Sequence, residues 1–161
     1  MMMLRGLRDG KRQRGLTYLE LMITVAILLV LAAAALPVAR LTIKRQRELE
    51  LRSALRQVRN AIDTYKSYYD QGLIPQEGLQ SEGYPPELKT LVEGVNQVGA
   101  VDKKIRFLRR IPKDPMTNST EWGLRSLQDD PNSLTWGREN VYDIYTTSEG
   151  TGLDGTPYNQ W

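Results

Sequence analysis

The chain of 161 residues has no cysteine and no histidine, and only one phenylalanine. Without cysteine there is no disulfide and no thiol nucleophile. Without histidine as well, zinc or haem ligation by the usual side chains and a Ser-His-Asp triad are excluded. Carboxylates, lysine, serine and tyrosine are present, but no spacing among them suggests catalysis. A strong charge imbalance is also missing: 22 basic residues face 19 acidic ones, for a net charge of +3. Five of the basic groups (Arg5, Arg8, Lys11, Arg12, Arg14) fall in residues 1–15 with a single acid, Asp9. The rest of the chain is close to neutral, so the sequence pI of 9.2 belongs to the N-terminal tip and is no argument for a nucleic-acid partner.

What the chain does have is one long apolar run. Residues 21–39 carry no charge. As a helix these 19 residues reach roughly 28 Å, close to the ~30 Å hydrocarbon core of a bilayer. Core helices of soluble domains are shorter and striped, and a cleaved secretory signal has a shorter apolar region. Ala33-Ala34-Ala35 imitates a signal-peptide cleavage site, but the helical pattern runs on past it. Two residues do not suit a plain anchor. Glu20 stands at the head of the run, where an acid needs a partner or a proton. Pro37 stands near its far end, where it removes a backbone donor and loosens the helix.

Basic residues follow the run (Arg40, Lys44, Arg45, Arg47) as well as precede it, so charge asymmetry orients the span only weakly. The helical pattern then continues over 40–71. Leu51, Ala54, Leu55, Val58, Ala61, Ile62, Tyr65 and Tyr69 recur at spacings of three and four, and Arg47, Glu48, Glu50, Arg52, Arg56, Arg59 and Asp63 mark a polar face. The stripe is wider than a coiled-coil seam, which favours packing on the chain's own domain. Gly72 is a natural stop, so one helix of roughly 84 Å is expected over residues 16–71. The remaining residues, 72–161, are rich in glycine and proline and short for an independent core. They are expected to use that stripe as a wall. A short helix over 84–94 with proline in its first turn, strands over 122–127 and 141–146, and a C-terminal loop over 150–161 ending on Trp161 are expected.

The string Gly15-Leu16-Thr17-Tyr18-Leu19-Glu20, behind a basic leader and ahead of the apolar run, resembles the processing site of type IV pilins and pseudopilins. The segment Leu108-Arg109-Arg110-Ile111-Pro112-Lys113-Asp114-Pro115, the Asp143-Ile144-Tyr145 strand and the terminal Trp161 extend the resemblance, which is nearest to the major pseudopilins of type II secretion. Leu16 stands where the family usually has Phe, Tyr18 where Leu is usual, and Met116 where Trp is common.

The resemblance implies an α+β, type IV pilin-like fold: a long N-terminal helix packed on a small head with an antiparallel β-sheet. It implies a leader over 1–15, a membrane and filament-core helix over 16–39, an amphipathic continuation over 40–71 and a periplasmic head over 72–161. Prepilin peptidase would cut between Gly15 and Leu16, and Leu16 would become the N-methylated terminus. Glu20 would set register during assembly and Pro37 would loosen the helix. The implied partners are further copies of the chain, minor pseudopilins, the inner-membrane assembly platform and the lipid bilayer. The implied role is that of a non-enzymatic filament subunit in protein export, with a type IV pilin for adhesion, motility or DNA uptake as the alternative; the residues alone also allow a single-pass membrane-anchored periplasmic binding protein.

Major pseudopilins bind calcium in the C-terminal loop, so the resemblance raises a calcium site here. Asp154 with Ser148 or Glu149 are the donors this sequence offers, where the family's Asp-rich pattern gives way to Thr156-Pro157-Tyr158-Asn159. A loop held by Tyr158, Trp161 and turn hydrogen bonds is the competing expectation. Six basic residues within 103–113 are expected to face solvent or acidic neighbours, and no nucleic acid is expected as a partner.

Overall fold

The computed structural model describes residues 15–76, 81–100 and 103–161, with the side chains of 34–37 outside that description. Helix α1 (Tyr18–Asp70) starts two residues later and ends one residue earlier than periodicity suggested. The chain divides into two units, Met1–Leu41 and Thr42–Trp161.

In the first unit the start of α1 is capped. The backbone carbonyl of Thr17 accepts from the Leu21 amide at 3.0 Å, and the Thr17 hydroxyl accepts from the Glu20 amide at 3.2 Å. A threonine hydroxyl satisfying the third amide of a helix is half of a capping box, and it fixes where the helix begins. Beyond it the apolar residues are bare: Leu21, Ile27, Leu29 and Val30 are all exposed. By length and composition this stretch is able to cross a membrane, and none of its most apolar window is buried. At Pro37 the backbone is helical, while the side chain lies outside the described residues.

In the second unit the same helix is covered. Leu51, Ala54, Leu55, Val58, Ala61, Ile62 and Tyr65 are buried against Ile74, Leu88, Leu91, Leu108, Trp122, Val141, Ile144 and Tyr158. The stripe therefore packs on the chain's own domain. Burying one such aliphatic side chain contributes about 1.5–3 kcal/mol. Helix α1 stops where Gly72, at φ +68°, turns the chain into the left-handed region. The Gly72 amide donates to Tyr69 O at 2.9 Å and the Leu73 amide to Tyr68 O at 3.0 Å. These are the two bonds of a Schellman cap.

The short helix expected over 84–94 is reduced to α2 (Thr90–Glu93), because Pro85 and Pro86, expected in its first turn, lie in non-helical chain ahead of it. Gly94 ends it at φ +79°, and a Cβ there would sit 2.5 Å from Ile105 O. The strands are also shorter than expected. Strand β1 (Val95–Asn96) pairs antiparallel with β2 (Lys104–Ile105), and β3 (Gly123–Arg125) with β4 (Asp143–Tyr145), Leu124 opposite Ile144. The β-structure is thus two separate two-stranded pieces. Between them, buried Asp114 ties down the proline-rich connector: it accepts from the Thr146 hydroxyl and, at 2.8 Å, from the Met116 amide.

Candidate functional site

Two places carry the residues singled out in the sequence. At the first, Gly15, Leu16 and Thr17 are non-helical and exposed, and Glu20 lies in the first turn of α1. The bond between Gly15 and Leu16 therefore stands outside the helix and exposed. The Thr17 cap starts the helix after Leu16, so in the uncleaved chain Leu16 stands ahead of the first turn that holds Glu20. The Glu20 carboxylate is exposed and makes no hydrogen bond or ion pair among the described residues. Leader residues 1–14 lie outside the described residues.

At the second place the C-terminal loop closes on α1. Glu48, assigned from sequence to a polar face, is instead buried. Its Oε1 accepts the Tyr158 hydroxyl at 2.9 Å and the Leu153 amide at 2.9 Å. One turn on, Arg52 reaches Asp154 Oδ2 at 3.3 Å and lies over the Trp161 ring at 4.2 Å. Arg59, half-buried, grips Asp143 through two nitrogens at 2.7 and 3.2 Å. It also donates to the backbone oxygens of Ile144 at 3.2 Å and Trp161 at 2.8 Å. Helical spacing alone could not reveal this, since the partners lie about a hundred residues away. The signal was the alternation of charge along a face that also borders the apolar stripe.

The loop itself is compact. Thr151 bridges Pro157, the Gly152 amide donates to Thr156 O at 2.8 Å, and a 3₁₀ turn covers Tyr158–Gln160. Tyr158 meets Trp161 edge to face, centroids 5.0 Å apart. Burial pushes the Tyr158 phenol up to about 12, and its hydrogen bond to Glu48 adds to the effect. Hydrogen bonds from Thr156, its amide first, hold the Asp154 carboxyl below its ordinary value, and the Arg52 charge adds a smaller share.

The proposed calcium donors are not assembled into a cage. Asp154 Oδ1 is taken by the Thr156 amide at 2.9 Å and Oδ2 by Arg52. Ser148 Oγ accepts the Gly150 amide at 3.3 Å, and Glu149 is exposed. Among the described residues no three acidic side chains gather as a metal site, and no buried side-chain oxygen is left without a partner. The six basic side chains of 103–113 are all exposed.

Residues 10–36 match the family model of the prokaryotic N-terminal methylation motif. The chain is similar to type II secretion system core protein G of Klebsiella pneumoniae, 28% identical over 91% of this chain and 89% of that one. It is also similar to the core protein G of Vibrio cholerae, 29% identical over 92% of this chain and 93% of the relative. For that of Escherichia coli K12 the identity is 29% over 70% and 72%. No solved structure matches it significantly. A methylation motif ahead of a bare apolar helix and an α+β head behind it accompany this similarity to core protein G along most of the chain.

Proposed function

We propose that the chain is a structural subunit of a type II secretion pseudopilus. The observation that carries this is the pairing of the Gly15-Leu16…Glu20 motif with an uncovered apolar helix, in a chain alignable with core protein G nearly end to end. The leader ends at Gly15, and prepilin peptidase cuts the exposed bond to Leu16, which becomes the N-methylated terminus. The apolar half of α1 rests in the inner membrane, with the head in the periplasm, and then moves into the core of the filament.

Assembly needs cohesion among helices and a fixed axial register. The side chains bared over 21–33 supply the first through packing against their copies. Glu20 supplies the second. A carboxylate entering an apolar bundle needs a countercharge, and the α-amine of a neighbouring Leu16, with an ordinary pKa of about 7.7–8.0, is a suitable one. Pairing each Glu20 with the next subunit's terminus fixes a one-subunit shift. In this reading the chain is the substrate of an enzyme and performs no chemistry itself. Minor pseudopilins and the inner-membrane platform are its other partners.

Intact-mass and N-terminal analysis of the protein from membranes holding an active prepilin peptidase tests the first step. A chain beginning at methylated Leu16 is expected, and one retaining Arg14-Gly15 overturns the assignment. Glu20→Ala is expected to insert and to be cleaved normally but to form few filaments. Normal filament yield would remove Glu20 from the register role. Deletion that abolishes export without touching adhesion or motility separates the secretion role from that of a pilin.

A further inference from the structure

A calcium site of the kind the resemblance to major pseudopilins implies calls for six to eight oxygen ligands around one ion. The C-terminal loop here directs its polar atoms elsewhere. Both Asp154 oxygens are engaged, one by a backbone amide within the loop and one by Arg52. The carbonyls of Gly150, Gly152 and Thr156 accept amides from Tyr158, Gly155 and Gly152, closing the loop upon itself. A guanidinium already stands at the carboxylate a divalent ion would need, with its central carbon 4.2 Å from the centre of the Trp161 ring.

We infer that in this chain three side chains of α1, Glu48, Arg52 and Arg59, close the C-terminal loop in place of a divalent cation, and that the head is indifferent to calcium. At 100° per residue these positions fall within about 40° of one another around the helix, so they form one ladder facing the loop. Each rung does part of what an ion would do. Arg52 neutralises Asp154. Arg59 gathers the oxygens of Asp143, Ile144 and Trp161, which come from two separate segments. Glu48 does the opposite, offering one buried oxygen to an amide and a phenol. The rungs are unequal. The Arg52–Asp154 pair is half-exposed on both sides and contributes little. Glu48 and Arg59 carry most of the closure, because removing either leaves buried or half-buried polar partners unsatisfied.

The test is thermal unfolding of the full chain in detergent, followed by near-ultraviolet circular dichroism of the tryptophans. It is run with EGTA and with about 5 mM calcium, above the ~1 mM dissociation constants of weak extracellular sites. The native chain is expected to melt at the same temperature in both. Glu48→Ala and Arg59→Gln are expected to melt about 5–10 °C lower, again identically in both. Arg52→Gln should fall by about 2 °C or less. If Glu48→Ala does not fold, Glu48→Gln keeps the shape and tests the charge alone. A rise in the native melting temperature on adding calcium overturns the inference. So does native-like melting of both Glu48→Gln and Arg59→Gln. Because nothing here is assembled or cleaved, the result does not depend on the filament reading.

Discussion

Helix α1 meets two different fates along its length. From residue 21 to 33 its described side chains are almost all apolar and bare on every face, whereas beyond residue 47 it carries an apolar stripe that the rest of the chain covers. A helix that is apolar all round must be buried by something, and an amphipathic one needs only one wall. The first half therefore depends on surroundings supplied by lipid or by other copies, and the second half is self-sufficient. One element serves as both an assembly device and a structural spine because its hydrophobic pattern changes from continuous to periodic.

Matched truncations break or sharpen this contrast. Ile62→Ala, in the covered half, is expected to cost about 2–5 kcal/mol, read as a lower denaturation midpoint of the head. Leu28→Ala, in the bare half, should leave that midpoint unchanged while weakening filament formation. Equal losses of head stability from both would refute the division of labour. Gly123→Ala comes next in size. A Cβ at Gly123 would lie 2.3 Å from the Tyr145 ring, so the ring must leave its place over Arg125, at a cost of about 1–3 kcal/mol. Thermal melting and the near-ultraviolet tyrosine signal would register it.

Thr17→Ala removes the cap in the bare half and should cost about 1 kcal/mol of local helix stability, with Thr17→Ser close to native. Amide exchange at Glu20 and Leu21 reads this directly, and unchanged protection in the alanine variant would show that the cap is idle. The smallest effects are those of pH on the covered half. The Tyr158 phenol is raised, so the folded state favours its neutral form. That contribution is whole below about pH 10, the ordinary tyrosine value, and fades as pH climbs toward 12. Asp154 is depressed, so its share is present above about pH 4 and is lost on acidification below that. Tyr158→Phe should flatten the alkaline limb of a stability profile and leave the acid limb as it was.

Much of the molecule was legible in its sequence. The stripe from Leu51 to Tyr65 is buried as its spacing implied, Gly72 stops the helix, and the second expected strand pairs with the first. These features are local, since periodicity and turn chemistry act over a few residues. The T-x-x-E signature at Thr17 and Glu20 was there to be read as a helix start, but the continuous apolar run hid the boundary. The β1–β2 pairing was invisible because two-residue strands have no alternation to detect. Glu48 and Arg59 misled for a deeper reason. A charged side chain beside an apolar stripe looks solvated until a partner distant in sequence arrives to satisfy it. The C-terminal loop, where the sequence departs from its family's acidic pattern, was the part least open to inference and the part most rebuilt by such distant partners.

The bond from Tyr158 to Glu48 joins residues 110 positions apart. Closing so large a loop is entropically slow and comes late, after more local contacts have formed. During synthesis α1 is complete when less than half of the chain exists, and its apolar stripe must wait for the remainder to be made. Through that interval the second half of the helix is as bare as the first. Until then the second half shows an uncovered apolar stripe beside its charged face, and the return of the last residues is what closes that stripe.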